Sequence, residues 1–308
     1  MSTGRGRGMA FGPGKLILLG EHAVVYGHPA IAAALPLGVK AHPEEAEACR
    51  LLPPEGLDEK QRALVQKAFE EAARQVGFPK VCVRLEADLP MGAGLGSSAA
   101  VSVACAKALA KAAHPEEEGE AHLKRVEALA FGMEKVFHGT PSGVDHRTSL
   151  LDTLVWFCKG EAQALVCPVP LRVLIAMAGR RSPTQSTVAR LRERQRRWPK
   201  HHARLFEEVA RCVEDAREAI EAGDLALLGE LMNVNQGLLS AMQLDSESLM
   251  RVARKLREAG ALGAKLTGAG GDGGAVVGLF ENPEEAQKAL EAEGLQCFAC
   301  QLAGPRSI

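Results

Sequence analysis

Three separated stretches of this 308-residue chain carry residue types suited to handling phosphate. The first is Pro90-Met91-Gly92-Ala93-Gly94-Leu95-Gly96-Ser97-Ser98-Ala99-Ala100, which crosses three glycines and enters a run of small apolar residues. Glycine lets a backbone approach a ligand closely. A helix start presents unpaired N–H groups and the positive end of its dipole, which suits an anion. No Walker-type GKS or GKT follows, and the third glycine interval departs from the dinucleotide fingerprint. A glycine turn leading into an ordinary helix fits the same residues. The second stretch pairs Lys15 with Glu21-His22 at the two ends of an apolar run, where α/β proteins place sites. Each of these residues singly also reads as a solvated lysine or a satisfied loop histidine. The third is Gly268-Ala269-Gly270-Gly271-Asp272-Gly273-Gly274.

Two carboxylates add acid–base or cation-binding chemistry. Asp145 closes His138-Gly139-Thr140-Pro141-Ser142-Gly143-Val144-Asp145, and Ser142 with Asp145 has the S-x-x-D spacing of a helix cap. The alternative is a carboxylate kept ionised by a cation and able to take a hydroxyl proton. Glu134 neighbours an apolar helical stripe, which leaves it either facing a cleft or solvated.

The elements that must position these groups follow from periodicity. Lys15–Gly20 reads as a strand introduced by Gly12-Pro13-Gly14, and Glu59–Val76 as a helix with Leu64, Ala68, Ala72 and Val76 on one face. Lys80–Leu89 alternates as a half-buried strand that delivers the first glycine loop. A helix of small residues follows from Ser97 to about Ala112. The next helix, 119–138, has Leu123, Val126, Ala130, Met133 and Phe137 as its stripe and stops at Gly139 and Pro141. Leu150–Phe157 and Gln163–Val169 read as strands, and Pro168 and Pro170 mark a domain boundary. From Leu171 the order is strand, helices (184–197, 201–222, 224–243 and 246–259), strand, strand, helix, strand. That order predicts an α+β sandwich of the split βαβ kind with inserted helices.

Apolar content of 46% with 24% charged residues is that of a globular chain. A formal charge of −1 gives no global drive toward nucleic acid or an anionic membrane. No apolar run is long enough to span a bilayer, and no signal-peptide core follows Met1. The eight scattered cysteines predict free thiols in a reducing cytoplasm. Cys297 and Cys300 lie on one late strand, and a lone CxxC is weak support for zinc.

The order PGKLILLGEHAVVYG, PMGAGLGSSAA and KLTGAGGDGG resembles the three motifs of the GHMP small-molecule kinases, from about residue 12 to residue 303. GEHAVVYG, HGTPSGVD and LTGAGG are most similar to the mevalonate kinase branch. The resemblance implies a two-domain α+β fold. Residues 1–168 would form a ribosomal-S5-domain-2-like domain, and 169–308 a ferredoxin-like, split βαβ domain with extra helices. It implies an ATP- and Mg²⁺-dependent transfer of phosphoryl to the terminal hydroxyl of mevalonate. Ser98 falls on a metal and phosphate ligand of the family, Glu134 on the other metal ligand, Asp145 on the base and Lys15 on its cationic partner. Gly92–Ser98 with Gly270 and Gly271 match the nucleotide loops. Glu21, His22 and Thr184 fall where the family contacts mevalonate or braces those contacts, Thr184 on a looser match. The family often forms homodimers, on which composition is silent.

Asp272 stands where mevalonate kinases commonly have glycine, and like charge beside phosphate predicts that it turns away or toward a cation. Kinases of phosphomevalonate carry an aspartate nearby but favour tyrosine after Gly-Glu, where this chain has His22. Phosphomevalonate or a sugar is thus the alternative acceptor, and a non-catalytic ligand sensor on the same fold is the reading from another class.

Overall fold

The computed structural model describes residues 8–179 and 184–303, apart from the side chains of Thr184, Gln185 and Ala303. Compact packing sorts them into two interleaved units. One holds the chain through Lys15, Leu37–Met91 and Gly96–Asp152, and the other Leu16–Pro36, Gly92–Leu95 and the chain from Thr153. The long strands β1 (Ala10–Leu19) and β2 (Ala30–Glu45) contribute residues to both.

In the first unit, residues 39–45 of β2 pair antiparallel with β4 (Val81–Ala87), and β3 (Arg50–Leu52) runs parallel to β4 on its other side. The expected alternation holds, with Val81, Val83 and Leu85 buried and Glu86 exposed. Four helices belong to this unit: α1 (Glu59–Gln75), α2 (Ser97–Ala113), α3 (Gly119–His138) and α4 (Val144–Leu151). α1 starts on a reciprocal cap between Asp58 and Gln61. α2 is buried nearly all round, and its small side chains let a backbone lie against it. Gly12 of β1 is that contact: a β-carbon there would sit 2.1 Å from the Ala100 carbonyl oxygen and 2.7 Å from the Ala104 nitrogen.

In the second unit, residues 30–33 of β2 pair with β5 (Leu154–Cys158), which turns into β6 (Glu161–Ala164). A separate antiparallel sheet takes the order β10-β7-β9-β8, from β7 (Leu171–Ala178), β8 (Gly263–Thr267), β9 (Gly274–Phe280) and β10 (Cys297–Ala303). Between β7 and β8 run α5 (Thr184–Arg197), α6 (Pro199–Ala222), α7 (Leu225–Ala241) and α8 (Glu247–Glu258), and α9 (Glu284–Ala292) precedes β10. This is the split βαβ order with inserted helices. β8 is an edge strand, and amides of α7 close its free side: Asn233 Oδ1 accepts from the Ala264 N–H at 3.1 Å and Gln236 Oε1 from that of Leu266 at 2.8 Å.

Several elements differ from the sequence reading. Gly12-Pro13-Gly14 lie inside β1 rather than before it. The sequence reading assigned no element between Gly27 and Glu59, yet β2 fills much of that stretch, with Pro43 in register opposite Val83. Leu150 and Leu151 end α4, and β5 begins only at Leu154; a short apolar run does not tell helix from strand. The strand expected over 163–169 is the hairpin arm β6, from Glu161 to Ala164. Leu64 and Leu123 are exposed, and Val65, Phe69 and Leu129 take the buried stripes of α1 and α3. Among the described residues no helix is long and apolar enough to cross a membrane.

Replacing Gly12 by Ala forces its β-carbon into the backbone of α2, which cannot yield as a side chain would. The expected loss is about 3 kcal/mol of stability, measured as a lowered urea midpoint; an unchanged midpoint would mean that β1 and α2 separate freely.

Candidate active site

In the first unit the chain brings four of the expected side chains together. Lys15 Nζ lies 2.7 Å from Asp145 Oδ1, with Lys15 buried and the Asp145 side chain about a third exposed (31%). Asp145 is in the first turn of α4, whose cap is Gly143 at φ +97°. No side-chain cap bond forms there, so the S-x-x-D spacing does not make a capping box. α4 is fixed to β1 by Ser149 Oγ, which donates to the Pro13 carbonyl at 2.7 Å, and to α3 by Arg147 against Glu127 at 2.6 Å. Burial opposes charge on Asp145. The adjacent Lys15 ammonium and its hydrogen bond override that, with His138 and His146 beyond, and hold the carboxyl below its ordinary range.

Glu134 is completely buried, not solvated. Burial first, and then the charge of Asp145, push its carboxyl up to about 8, against the pull of the Ser102 hydroxyl, Lys15 and the Ser98 hydroxyl. Ser102 Oγ donates to Glu134 Oε1 at 3.0 Å, whereas buried Oε2 has no hydrogen-bond partner. Ser98 Oγ and His138 Nε2 are 2.9 Å apart, and His138 Nε2 stands 3.7 Å from Glu134 Oε2. An orphaned carboxylate oxygen beside a serine hydroxyl is a hard-oxygen donor set, so these residues fit Mg²⁺.

Gly96 caps α2 at φ +72°, a conformation that favours glycine. A β-carbon there would lie 2.6 Å from Lys15 Cγ and 3.0 Å from the Lys15 nitrogen, so the loop presses directly on the lysine that holds Asp145. Ser97 and Ser98 follow in the first turn of α2, at the positive end of its dipole.

Gly92–Leu95 belong to the second unit, where Gly94 neighbours the third glycine loop: a β-carbon on Gly268 would lie 3.3 Å from the Gly94 carbonyl oxygen. The Gly271 N–H donates to the Leu244 carbonyl at 2.8 Å, and a β-carbon on Gly270 would collide with that same oxygen. The Asp272 side chain is mostly exposed and has Arg190 of α5 at 4.0 Å, so it does turn toward a cation.

Glu21 is fully buried on Lys265 Nζ, which also donates to the Leu266 carbonyl at 2.7 Å. His22 follows at φ +63°, ψ −47°, the centre of a γ-turn closed by the Ala23 N–H on the Glu21 carbonyl at 2.7 Å. Such a turn is strained by about 1–3 kcal/mol and persists only where its surroundings fix it. Here the His22 ring does so: Nε2 donates to the Ala269 carbonyl at 3.0 Å, which sets the tautomer. Thr267 Oγ1 meanwhile bonds both the N–H and the carbonyl of Ile17. Burial lowers the His22 pKa from 6.5 to about 4 against that carbonyl bond, with Arg194 and Lys265 adding to the depression. The Thr184 side chain lies outside those described.

Sequence reasoning missed Lys265, His138 and Ser102. For Lys265 a signal existed, since a lysine inside an otherwise buried strand must have a partner. Ser102 lies one helical turn after Ser98, and His138 one turn after Glu134, spacing that becomes informative only once the helices are known to face each other.

The GHMP kinases N terminal domain matches residues 63–152, and the GHMP kinases C terminal domain matches residues 216–292. The mevalonate kinase of Thermococcus sibiricus is 35% identical to the chain, covering 94% of each, and that of Pyrococcus abyssi is 34% identical, covering 86% of each. The chain belongs to the GHMP kinases. A solved structure of L. major mevalonate kinase in complex with R-mevalonate is similar to this GHMP kinase with a TM-score of 0.84 at 26% identity, covering 97% of each chain.

Two outcomes are expected of this GHMP kinase. Gly96→Ala displaces Lys15 and lowers kcat by on the order of a hundredfold, read beside an unchanged circular dichroism spectrum; retained kcat would uncouple the loop from the lysine. His22 supplies a pH dependence. Unfolded, it takes up a proton near 6.5, and folded only near 4, so the unfolded chain binds more protons between those values. Its contribution is intact above pH 6.5 and is lost as pH falls toward 4, by about 3 kcal/mol in all. Urea titrations of His22→Gln should flatten the slope in that window by about one proton.

Proposed function

We propose that this GHMP kinase transfers the γ-phosphoryl group of ATP to the terminal hydroxyl of (R)-mevalonate. The reading rests above all on the Lys15–Asp145 contact at 2.7 Å, with Gly96 of the glycine loop pressed against Lys15. Kinship with mevalonate kinases supplies the acceptor, and His22 after Glu21, where phosphomevalonate kinases favour tyrosine, supports it.

Asp145, kept ionised by Lys15, takes the hydroxyl proton of the acceptor. The freed oxygen forms its bond to the γ-phosphorus while the bond to the bridging oxygen breaks, and ADP leaves with that electron pair. Lys15 offsets negative charge on the attacking oxygen and stops Asp145 from protonating prematurely. Phosphoryl transfer asks for positioned charge rather than covalent chemistry, and these residues supply it. Ser98 and Glu134 would hold Mg²⁺, which when bound neutralises phosphate charge. The amides from Gly92 to Ser98 receive phosphate, and Gly270 and Gly271 let the third loop approach without side chains. His22 is read as touching the acceptor, with Glu21, held by Lys265, bracing it.

On this reading residues 1–168 carry phosphate loop, metal ligands and base, and residues 169–308 the third glycine motif. The eight free thiols suit a cytoplasmic enzyme, and a homodimer is the assembly that the kinship suggests.

Asp145→Asn should retain ATP affinity while kcat falls roughly a hundred- to ten-thousand-fold. A coupled ADP-release assay with mevalonate, phosphomevalonate and galactose side by side tests the acceptor. Release with phosphomevalonate alone would refute mevalonate, and release with none of the three would favour a sensor.

A further inference from the structure

His138 ends α3 and is claimed by no step of the reaction above, yet its ring makes contact with both proposed metal ligands. On α2, Ser98 and Ser102 are one helical turn apart; on α3, Glu134 and His138 are one turn apart. Residues spaced by four share a helix face. The two faces meet as a ladder of two rungs, Ser102 to Glu134 Oε1 at 3.0 Å and Ser98 to His138 Nε2 at 2.9 Å. His138 Nε2 is also 3.7 Å from Glu134 Oε2, the carboxylate oxygen that has no hydrogen-bond partner. After His138 the chain turns away at Gly139, φ +72°.

We propose that His138 is a positioning residue for the nucleotide's divalent cation, holding the Ser98 hydroxyl in the one rotamer that faces the free oxygen of Glu134. The proposal rests on the reading of Ser98 and Glu134 as metal ligands. A serine hydroxyl otherwise chooses among three staggered rotamers, and its partner on the neighbouring helix removes that choice. Glu134 needs no such help at Oε1, which Ser102 already holds. The nitrogen of His138 acts through Ser98 and not as a ligand, because Mg²⁺ selects hard oxygen donors. Residues that orient metal ligands typically carry a ten- to hundredfold share of metal affinity. The effect belongs to the metal and nucleotide, and not to the acceptor.

The test uses the full chain, ATP and Mn²⁺ as an electron paramagnetic resonance probe of metal binding. His138→Ala should raise the Mn²⁺ dissociation constant in the ATP complex about tenfold or more and raise the KM for MgATP in parallel, with the KM for mevalonate unchanged. His138→Gln, whose amide nitrogen occupies the place of Nε2, should restore most of both. Ser98→Ala and Glu134→Gln serve as benchmarks. Should they lose Mn²⁺ while His138→Ala binds it normally, His138 is only a helix end and the proposal fails alone. Should the benchmarks also bind normally, the metal-site reading fails and the proposal falls with it.

Discussion

One ammonium, paired with one carboxylate and felt by a second, governs the first unit. Lys15 is buried and gives its charge to Asp145 at 2.7 Å, while Glu134 lies fully buried near both. Lys15 pairs with the partly exposed Asp145 while Glu134 is fully buried, so their environments drive them apart: Asp145 below its ordinary range and Glu134 up to about 8. Opposite shifts in neighbouring titratable groups are how one site gives two carboxyl groups different protonation states. The Ser149 bond to Pro13, the Arg147–Glu127 pair and the Gly96 contact all serve to keep Lys15 and Asp145 at that distance.

The second unit solves a different problem, that of holding a strained turn. His22 sits at a positive φ that a side chain resists, and three tertiary ties keep it there: its own ring on the Ala269 carbonyl, Glu21 on Lys265, and Thr267 on Ile17. The buried Glu21–Lys265 pair contributes little net stability, since desolvation offsets its attraction, but losing either partner would strand a charge. Its value lies in fixing the turn and the third glycine loop in one arrangement.

Small residues recur wherever two backbones must meet. The Ala-rich face of α2 receives β1 at Gly12, and Gly268 lies against the Gly94 carbonyl. Phosphoryl transfer rewards this economy, because its barrier falls through positioning of charge and not through bulky pockets. The Asp272 carboxylate, unusual for such a loop, is turned out toward Arg190.

By itself the sequence determined the local chemistry: the glycine loop before α2, the alternation of β4, the split βαβ order after Leu171, and through motif resemblance the family and its candidate residues. These are short-range properties, set by period, turn residues and spacing. It left β2 unassigned, where Gly38 marks a close approach to Gly12, and misjudged the helical end of α4, because a short apolar run is ambiguous until packed. Tertiary structure alone decided that Glu134 is buried with an orphaned oxygen, that Asp145 faces Lys15 instead of capping its helix, and that Lys265 and His138 have partners far along the chain. Burial and pairing are sums over residues hundreds of positions apart, such as Glu21 with Lys265, and no local pattern encodes them.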